Sequence, residues 1–373
     1  MNMSLSTKGN NIYYPELDGL RFFAFLAVFI HHSLLASNTP FWVSLNQHGW
    51  MGVDLFFCLS AFLFTKLLFV EYQAKGDINV KNFYIRRALR IWPLYFVFVV
   101  AVLVLNFGWS GILTQRTLGL FTFTDDILTA YLFTYNGIVG LAHLWTISYE
   151  EQFYAIIPWF LRKMFKVSYT VKVWVLISIF FTFTLIRAIM IYYRVPHPAV
   201  WVLPVTHFEG ILGGLVVGLG LVDEYLKKIP GWLIMTAGLG TLILVTKLPN
   251  VFTIGWNLML TYPLVGLGMT LILFSVVKEG SWSIKNLLQT RLLTYLGKIS
   301  YGLYVYHLLA INYAAQFTLD LGISSDRLIV YPKIVFGMGL CITILVSAAS
   351  YQLLEKPFLR LKAKFTSIES RPI

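Results

Sequence analysis

The chain opens on an apolar run that carries an acid, a base and two imidazoles: LDGLRFFAFLAVFIHHSLLA, residues 17–36. Asp18 and Arg21 stand three positions apart and can pair on one helix face. Arg21 and His32 stand eleven apart, very nearly three turns, so they share a face with about 16 Å between them along the axis. His31 points about 100° away from that face. An ionisable group inside a membrane-length segment costs at least a few kcal/mol, so it turns toward a polar cavity and marks function. The competing account has Arg21 snorkelling to lipid phosphate and His32 satisfied in a helix interior.

Three further stretches carry the same signature. HGWMGVDLFFCLSAFLF places Asp54 just inside the outer end of a second span, at the depth of His32. A carboxylate beside an imidazole fixes its tautomer and raises its basicity, which a general base needs. Asp54 could equally pair with a basic residue on another span. NFYIRRALRIWPLYF sets Arg87 and Arg90 three apart on one face, a fork suited to phosphate and equally to stop-transfer anchoring. HLWTISYEEQFYAIIP puts Glu150 and Glu151 a couple of turns below the outer surface, and successive helix positions cannot both face one cavity. His207, Glu209 and His307 have the weaker standing of single polar groups, which often serve as interhelical glue. Cys58 and Cys341 form no metal-type spacing and are expected as buried thiols; no metal is expected.

The elements that must position these groups are membrane helices. With 58% hydrophobic and 12% charged residues and a mean hydropathy of +0.72, a soluble globular class is excluded. The reading is an all-α, polytopic integral membrane protein with about ten transmembrane helices, at about 20–37, 50–69, 91–108, 144–161, 173–192, 204–222, 231–247, 256–276, 295–315 and 333–353. An N-in, C-in arrangement puts about 23 of the 29 Lys and Arg residues inside, leaving Arg116, Arg187, Arg194, Lys247, Arg327 and Lys333 outside. The net charge of +12 then belongs to loops beside an anionic leaflet, and nucleic acid is not needed to explain it. The first span lacks a cleavage site and is expected as an uncleaved anchor. No internal repeat is visible, so residues 1–373 are expected as a single membrane domain with cytoplasmic tails at about 1–16 and 356–373. The loop at about 109–143, with Asp125 and Asp126 among aromatics, is expected as an outer cap or re-entrant piece.

From Leu17 to about Arg360 the chain resembles the acyltransferase-3 family of polytopic inner-membrane acyltransferases that modify bacterial glycans. The family's opening Asp-Gly-Leu-Arg, with a His eleven positions after the Arg, is matched by Asp18, Gly19, Leu20, Arg21 and His32, while His31 falls at a variable position. GVDLFFCLSAFL matches the second block, with Asp54 and Ser60 kept and Ala61 where Gly is usual, which suggests a slightly looser helix contact. RRALRIWP carries the Arg-x-x-Arg pair onto Arg87 and Arg90, and HLWTISYEEQFY selects Glu150 over Glu151. LGKISYGLYVYHLL and YQLLEKPF match the last blocks, with Lys356 in place of Arg. Members often carry an Arg near the start of the sixth span, where this chain has VTHFEG, so that role is unassigned and His207 is one substitute.

The resemblance implies transfer of an acyl group, most often acetyl, from cytoplasmic acyl-CoA to a carbohydrate hydroxyl at a bacterial cytoplasmic membrane. In that reading Arg21, Arg87 and Arg90 hold the phosphates of acetyl-CoA, and a pantetheine arm on the order of 15 Å long, comparable to three helical turns, brings the thioester to His32. His32 is the general base, oriented by Asp54, and Glu150 positions the acceptor or tunes the pair. The acceptor is a carbohydrate or lipid-linked glycan. Succinyl or longer acyl groups, an acyl-histidine intermediate and a non-catalytic glycolipid or donor carrier remain as alternatives, although carriers often show internal repeats.

Overall fold

The computed structural model describes residues 12–33, 40–107, 115–278, 280, 282–323 and 330–366. Residues 1–11 and 367–373 of the expected tails, and the charges Lys8, Arg327 and Arg371, lie outside the described residues.

The described chain is all-helical. Helix α1 (Pro15–His32) and the short α2 (Pro40–His48) precede two long helices, α3 (Met51–Lys75) and α4 (Val80–Phe107). Two short pieces follow, α5 (Gln115–Phe121) and α6 (Asp125–Leu132), then α7 (Trp145–Met164) and α8 (Tyr169–Tyr192). Next come α9 (Ala199–Val202), α10 (Glu209–Gly218), α11 (Asp223–Leu226), α12 (Gly231–Val245) and α13 (Leu258–Val277). The last group is α14 (Ser283–Leu288), α15 (Arg291–Lys298), α16 (Ser300–Asp320) and α17 (Val330–Ser350), which runs through a π turn at Tyr351–Glu355 into α18 (Lys356–Ala363).

Among the described residues, five helices are long and apolar enough to cross a membrane: Met51–Lys75, Val80–Asn106, Tyr169–Tyr192, Leu258–Val277 and Val330–Ala363. The protein is a multi-pass membrane protein on this ground. The expected spans at α1, α7 and α16 fall short in composition because they carry the inward polar groups, among them Asp18, Arg21, Glu150 and His307. The expected spans at 204–222 and 231–247 fall short in length, being helical over Glu209–Gly218 and Gly231–Val245. At 1.5 Å per residue α10 covers only about 15 Å.

Helix α3 is the axis of the bundle: 67% of its apolar window is buried, against 17% for the peripheral α8. It packs on α1, α7, α10 and α13. Gly210, Gly214 and Gly218 recur every four residues, so they share one face of α10. A Cβ on them would come within 2.7 Å of the Asp54 carbonyl, 2.2 Å of the Cys58 carbonyl and 2.6 Å of the Thr65 Cβ, so these glycines permit the close approach of two membrane helices. The expected looser contact at Ala61 is not found. Its methyl faces Gly214, where a Cβ would lie 2.8 Å away, and Ala61 is fully buried. Cys58 is buried, but Cys341 is exposed on the outer side of α17, a correction to the expectation of two buried thiols.

Connections expected on one side of the membrane meet at one end of the bundle. Arg162 pairs with Asp77, and its hydrogen bonds hold that carboxyl below the usual carboxylate range. Arg86 donates from Nη1 to the Phe365 carbonyl (3.0 Å) and pairs through Nη2 with Glu71 (3.1 Å). Lys285 approaches Glu16 at 3.7 Å. At the opposite end α6 packs against α7 and α9; Asp125 and Asp126 are fully buried there, Asp125 3.6 Å from Arg116 and Asp126 accepting from Gln152 Nε2 at 2.8 Å.

Candidate active site

Two polar regions lie at the two ends of α1. The first is a cavity lined by Asp18 and Arg21 from α1, Ser60 from α3, Arg87 and Arg90 from α4, Glu150 and Tyr154 from α7, and Tyr301 and Tyr304 from α16. Arg21 is turned by Asp18 (3.3 Å), which itself accepts from the Tyr13 hydroxyl at 2.9 Å. The Arg87 guanidinium lies over the Phe64 ring, 4.6 Å from its centroid, and its buried Nε has no hydrogen-bond partner. Stacking of this kind holds a planar cation while leaving its edge available. Ser60 Oγ donates to Glu150 Oε1 at 3.1 Å. Glu151 faces elsewhere and accepts from Trp92 Nε1 at 3.3 Å, the divergence that neighbouring helix positions require. The cavity therefore gathers Arg21, Arg87, Arg90 and Glu150, and Glu150 sits with the arginines, not with His32.

The second region is a histidine cluster around the last turn of α1. His32 Nδ1 lies 3.1 Å from His307 Nε2, and the His307 ring stands 4.7 Å from that of His143. His143 is 3% exposed, and neither of its ring nitrogens has a hydrogen-bond partner. The end of α1 is fixed by Asn46, whose Nδ2 donates to the carbonyls of Ile30 (2.8 Å) and Ser33 (3.0 Å). His31 points away: its Nδ1 donates to the Asn46 carbonyl (2.6 Å) and its ring lies against Phe252.

Between the two regions stands Tyr304. It lines the cavity on one side, and its ring is 5.2 Å from His143 and 5.5 Å from His307 on the other. Its hydroxyl bonds Thr146 Oγ1 at 2.8 Å and the His143 carbonyl at 3.4 Å, while Phe56 packs edge-on against it. His32 does not line the cavity.

Asp54 does not meet His32. Its Oδ1 lies 2.7 Å from His207 Nε2, because the face of α3 that carries Asp54 is the one pressed against α10 at Gly210. Both His207 nitrogens face acceptors, Nδ1 lying 3.0 Å from the Trp201 carbonyl. The Trp201 carbonyl can only accept, so Nδ1 carries a proton, and Nε2 and Asp54 share one between them. Trp201 and Tyr262 sandwich the ring at 4.3 and 4.6 Å. Beside it Arg187 Nη1 lies 2.6 Å from Glu209 Oε1 and donates to the Thr206 carbonyl at 2.9 Å. A guanidinium thus reaches VTHFEG from α8. Arg187, placed on the outer side by the charge reading, is 1% exposed inside the bundle.

The Arg187–Glu209 ion pair and the His207–Asp54 pair lie side by side in the bundle. Arg187→Met is expected to leave Glu209 buried and unpaired at a loss of roughly 3–5 kcal/mol. Adding Glu209→Gln is expected to recover most of it. Thermal unfolding in detergent measures both; equal midpoints for the single and double variants would contradict the pairing. Among the described residues no group of three or more His, Cys, Asp or Glu is placed to hold a metal ion.

An all-helical membrane bundle with an arginine-lined cavity and a buried histidine cluster at opposite ends of one helix defines the class of protein. The chain belongs to the acyltransferase-3 family, whose acyltransferase domain it matches over residues 14–351. It is similar, at 27% identity over 93% of its length and 57% of the relative's, to a protein named "Putative O-acetyltransferase" of Staphylococcus aureus (strain COL). It is 26% identical to the O-acetyltransferase OatA of Staphylococcus aureus (strain NCTC 8325 / PS 47) over 92% of this chain and 57% of that one. With the peptidoglycan O-acetyltransferase OatA of Listeria monocytogenes serovar 1/2a it shares 28% identity over 44% of this chain and 26% of the relative. The chain thus spans a little over half the length of the staphylococcal relatives. No solved structure matches it.

Proposed function

We propose that the chain is a membrane O-acyltransferase that moves an acetyl group from cytoplasmic acetyl-CoA to a hydroxyl of a cell-surface or secreted carbohydrate, in a bacterial cytoplasmic membrane crossed about ten times with both termini inside. The observation that carries this reading is the convergence of Arg21, Arg87 and Arg90 on one cavity at one end of α1, with His32 at the other end. The names of the relatives favour acetyl over larger groups and a cell-wall carbohydrate as acceptor.

Arg21, Arg87 and Arg90 bind the CoA phosphates by charge and by forked hydrogen bonds. Glu150, held by Ser60, accepts from an amide N–H of the pantetheine arm. The Tyr304 side chain turns aside and admits the thioester to His32. The imidazole takes the proton of the sugar hydroxyl as its oxygen attacks the thioester carbonyl; the C–S bond breaks, and the CoA thiolate leaves with that proton. Asp54 acts on the scaffold through His207 and is not part of the proton path. Reconstituted protein supplied with acetyl-CoA and a glycan acceptor is expected to release CoA, and mass spectrometry of the glycan is expected to find the mass of an acetyl group. Acetyl-CoA left intact across a panel of wall and surface glycans would refute the reading.

A further inference from the structure

The histidine cluster assigns its own protons. His307 Nδ1 lies 2.6 Å from the carbonyl oxygen of Tyr304, one turn back on α16. A carbonyl can only accept, so His307 Nδ1 carries a proton and donates it. The His307 ring is fully buried, walled by Phe25 (6.2 Å) and Phe29 (6.4 Å) and by the rings of His143 and Tyr304. No described carboxylate bonds it, and an imidazolium there would be an uncompensated buried charge. His307 is therefore neutral, with a lone pair on Nε2. That lone pair faces His32 Nδ1 at 3.1 Å, so His32 is the donor in the contact.

We propose that His307 is the positioning residue that fixes the proton of His32 on Nδ1 and leaves His32 Nε2 as the base. The inference rests on the acyl-transfer reading only for its catalytic meaning; the tautomer stands on geometry. The relay Tyr304 carbonyl, His307, His32 performs the orienting task that a carboxylate performs for other catalytic histidines. It does so without placing a negative charge beside the base. The other tautomer of His307 would present an N–H to His32 and reverse the polarity of the contact, and it would give up the bond to the Tyr304 carbonyl.

The test has two readouts. In protein labelled with 15N at histidine and held in lipid nanodiscs, His32 is identified by the signal lost in His32→Gln. It is expected to be protonated at Nδ1, with a scalar coupling across the hydrogen bond to His307 Nε2. A wild-type His32 protonated at Nε2 overturns the proposal, whether or not the protein transfers acyl groups. In the transfer assay His307→Phe, which fills the space without an acceptor, is expected to lower kcat about 100-fold with the KM for acetyl-CoA unchanged. His307→Gln, whose amide oxygen can accept from Nδ1, is expected to recover to within about tenfold of wild type. His307→Phe with wild-type kcat, or His307→Gln no better than His307→Phe at equal folded yield, also overturns it. A wild-type protein with the expected tautomer and no transfer to any acceptor refutes the acyl-transfer reading alone.

Discussion

His32→Ala is expected to lower acyl transfer by ~10²–10⁴-fold, the usual contribution of a positioned general base, while His31→Ala stays within about threefold of wild type. The two imidazoles are adjacent in sequence and 5.0 Å apart between ring centroids, so any effect of losing a nearby polar ring is shared. They differ in what they touch. His32 meets His307 in the buried cluster, whereas His31 caps a backbone carbonyl at Asn46 and packs on Phe252. Removing His31 deletes one hydrogen bond, worth about 1 kcal/mol of stability, and no part of the proton path. CoA release by purified variants at equal folded yield decides the matter. Full activity in His32→Ala together with loss in His31→Ala would reverse the assignment.

Arg87→Ala is expected to raise the KM for acetyl-CoA about 10–100-fold with a smaller change in kcat. A charge-assisted hydrogen bond contributes roughly 1.5–3 kcal/mol, which is that range of affinity. The residue suits the measurement because its buried Nε has no partner and no described carboxylate pairs with it, so its loss strands no counter-charge. Arg87→Lys is expected to restore little, since an ammonium cannot lie flat on Phe64 and present a fork. The KM of the variant is also expected to depend less on ionic strength than that of wild type. A KM unchanged by Arg87→Ala would remove this arginine from the donor site.

What the sequence made legible was depth along each helix. Spacing puts Arg21 and His32 on one face of α1, and Arg87 with Arg90 on one face of α4; the fold keeps both relations. Azimuth between helices was not legible. Asp54 has the depth of His32 but the opposite heading, and its partner His207 lies 153 positions away in sequence. The same separation hid the contact of His32 with His307, 275 positions distant. Spacing within one helix is set by its own period, whereas rotation about its axis is set by which neighbours pack on it, here the Gly210, Gly214 and Gly218 face that draws α10 onto α3.

The seam of Tyr304, Thr146, Phe56 and the His143 carbonyl bears on more than catalysis. A cell keeps an electrochemical gradient across its cytoplasmic membrane, and an aqueous thread from the arginine cavity to the histidines would be a leak for protons and salt. An aromatic ring and two hydrogen bonds are drawn across that route. On the proposed reading, a slender acyl arm that fills the gap as it opens it would pass without leaving such a thread behind.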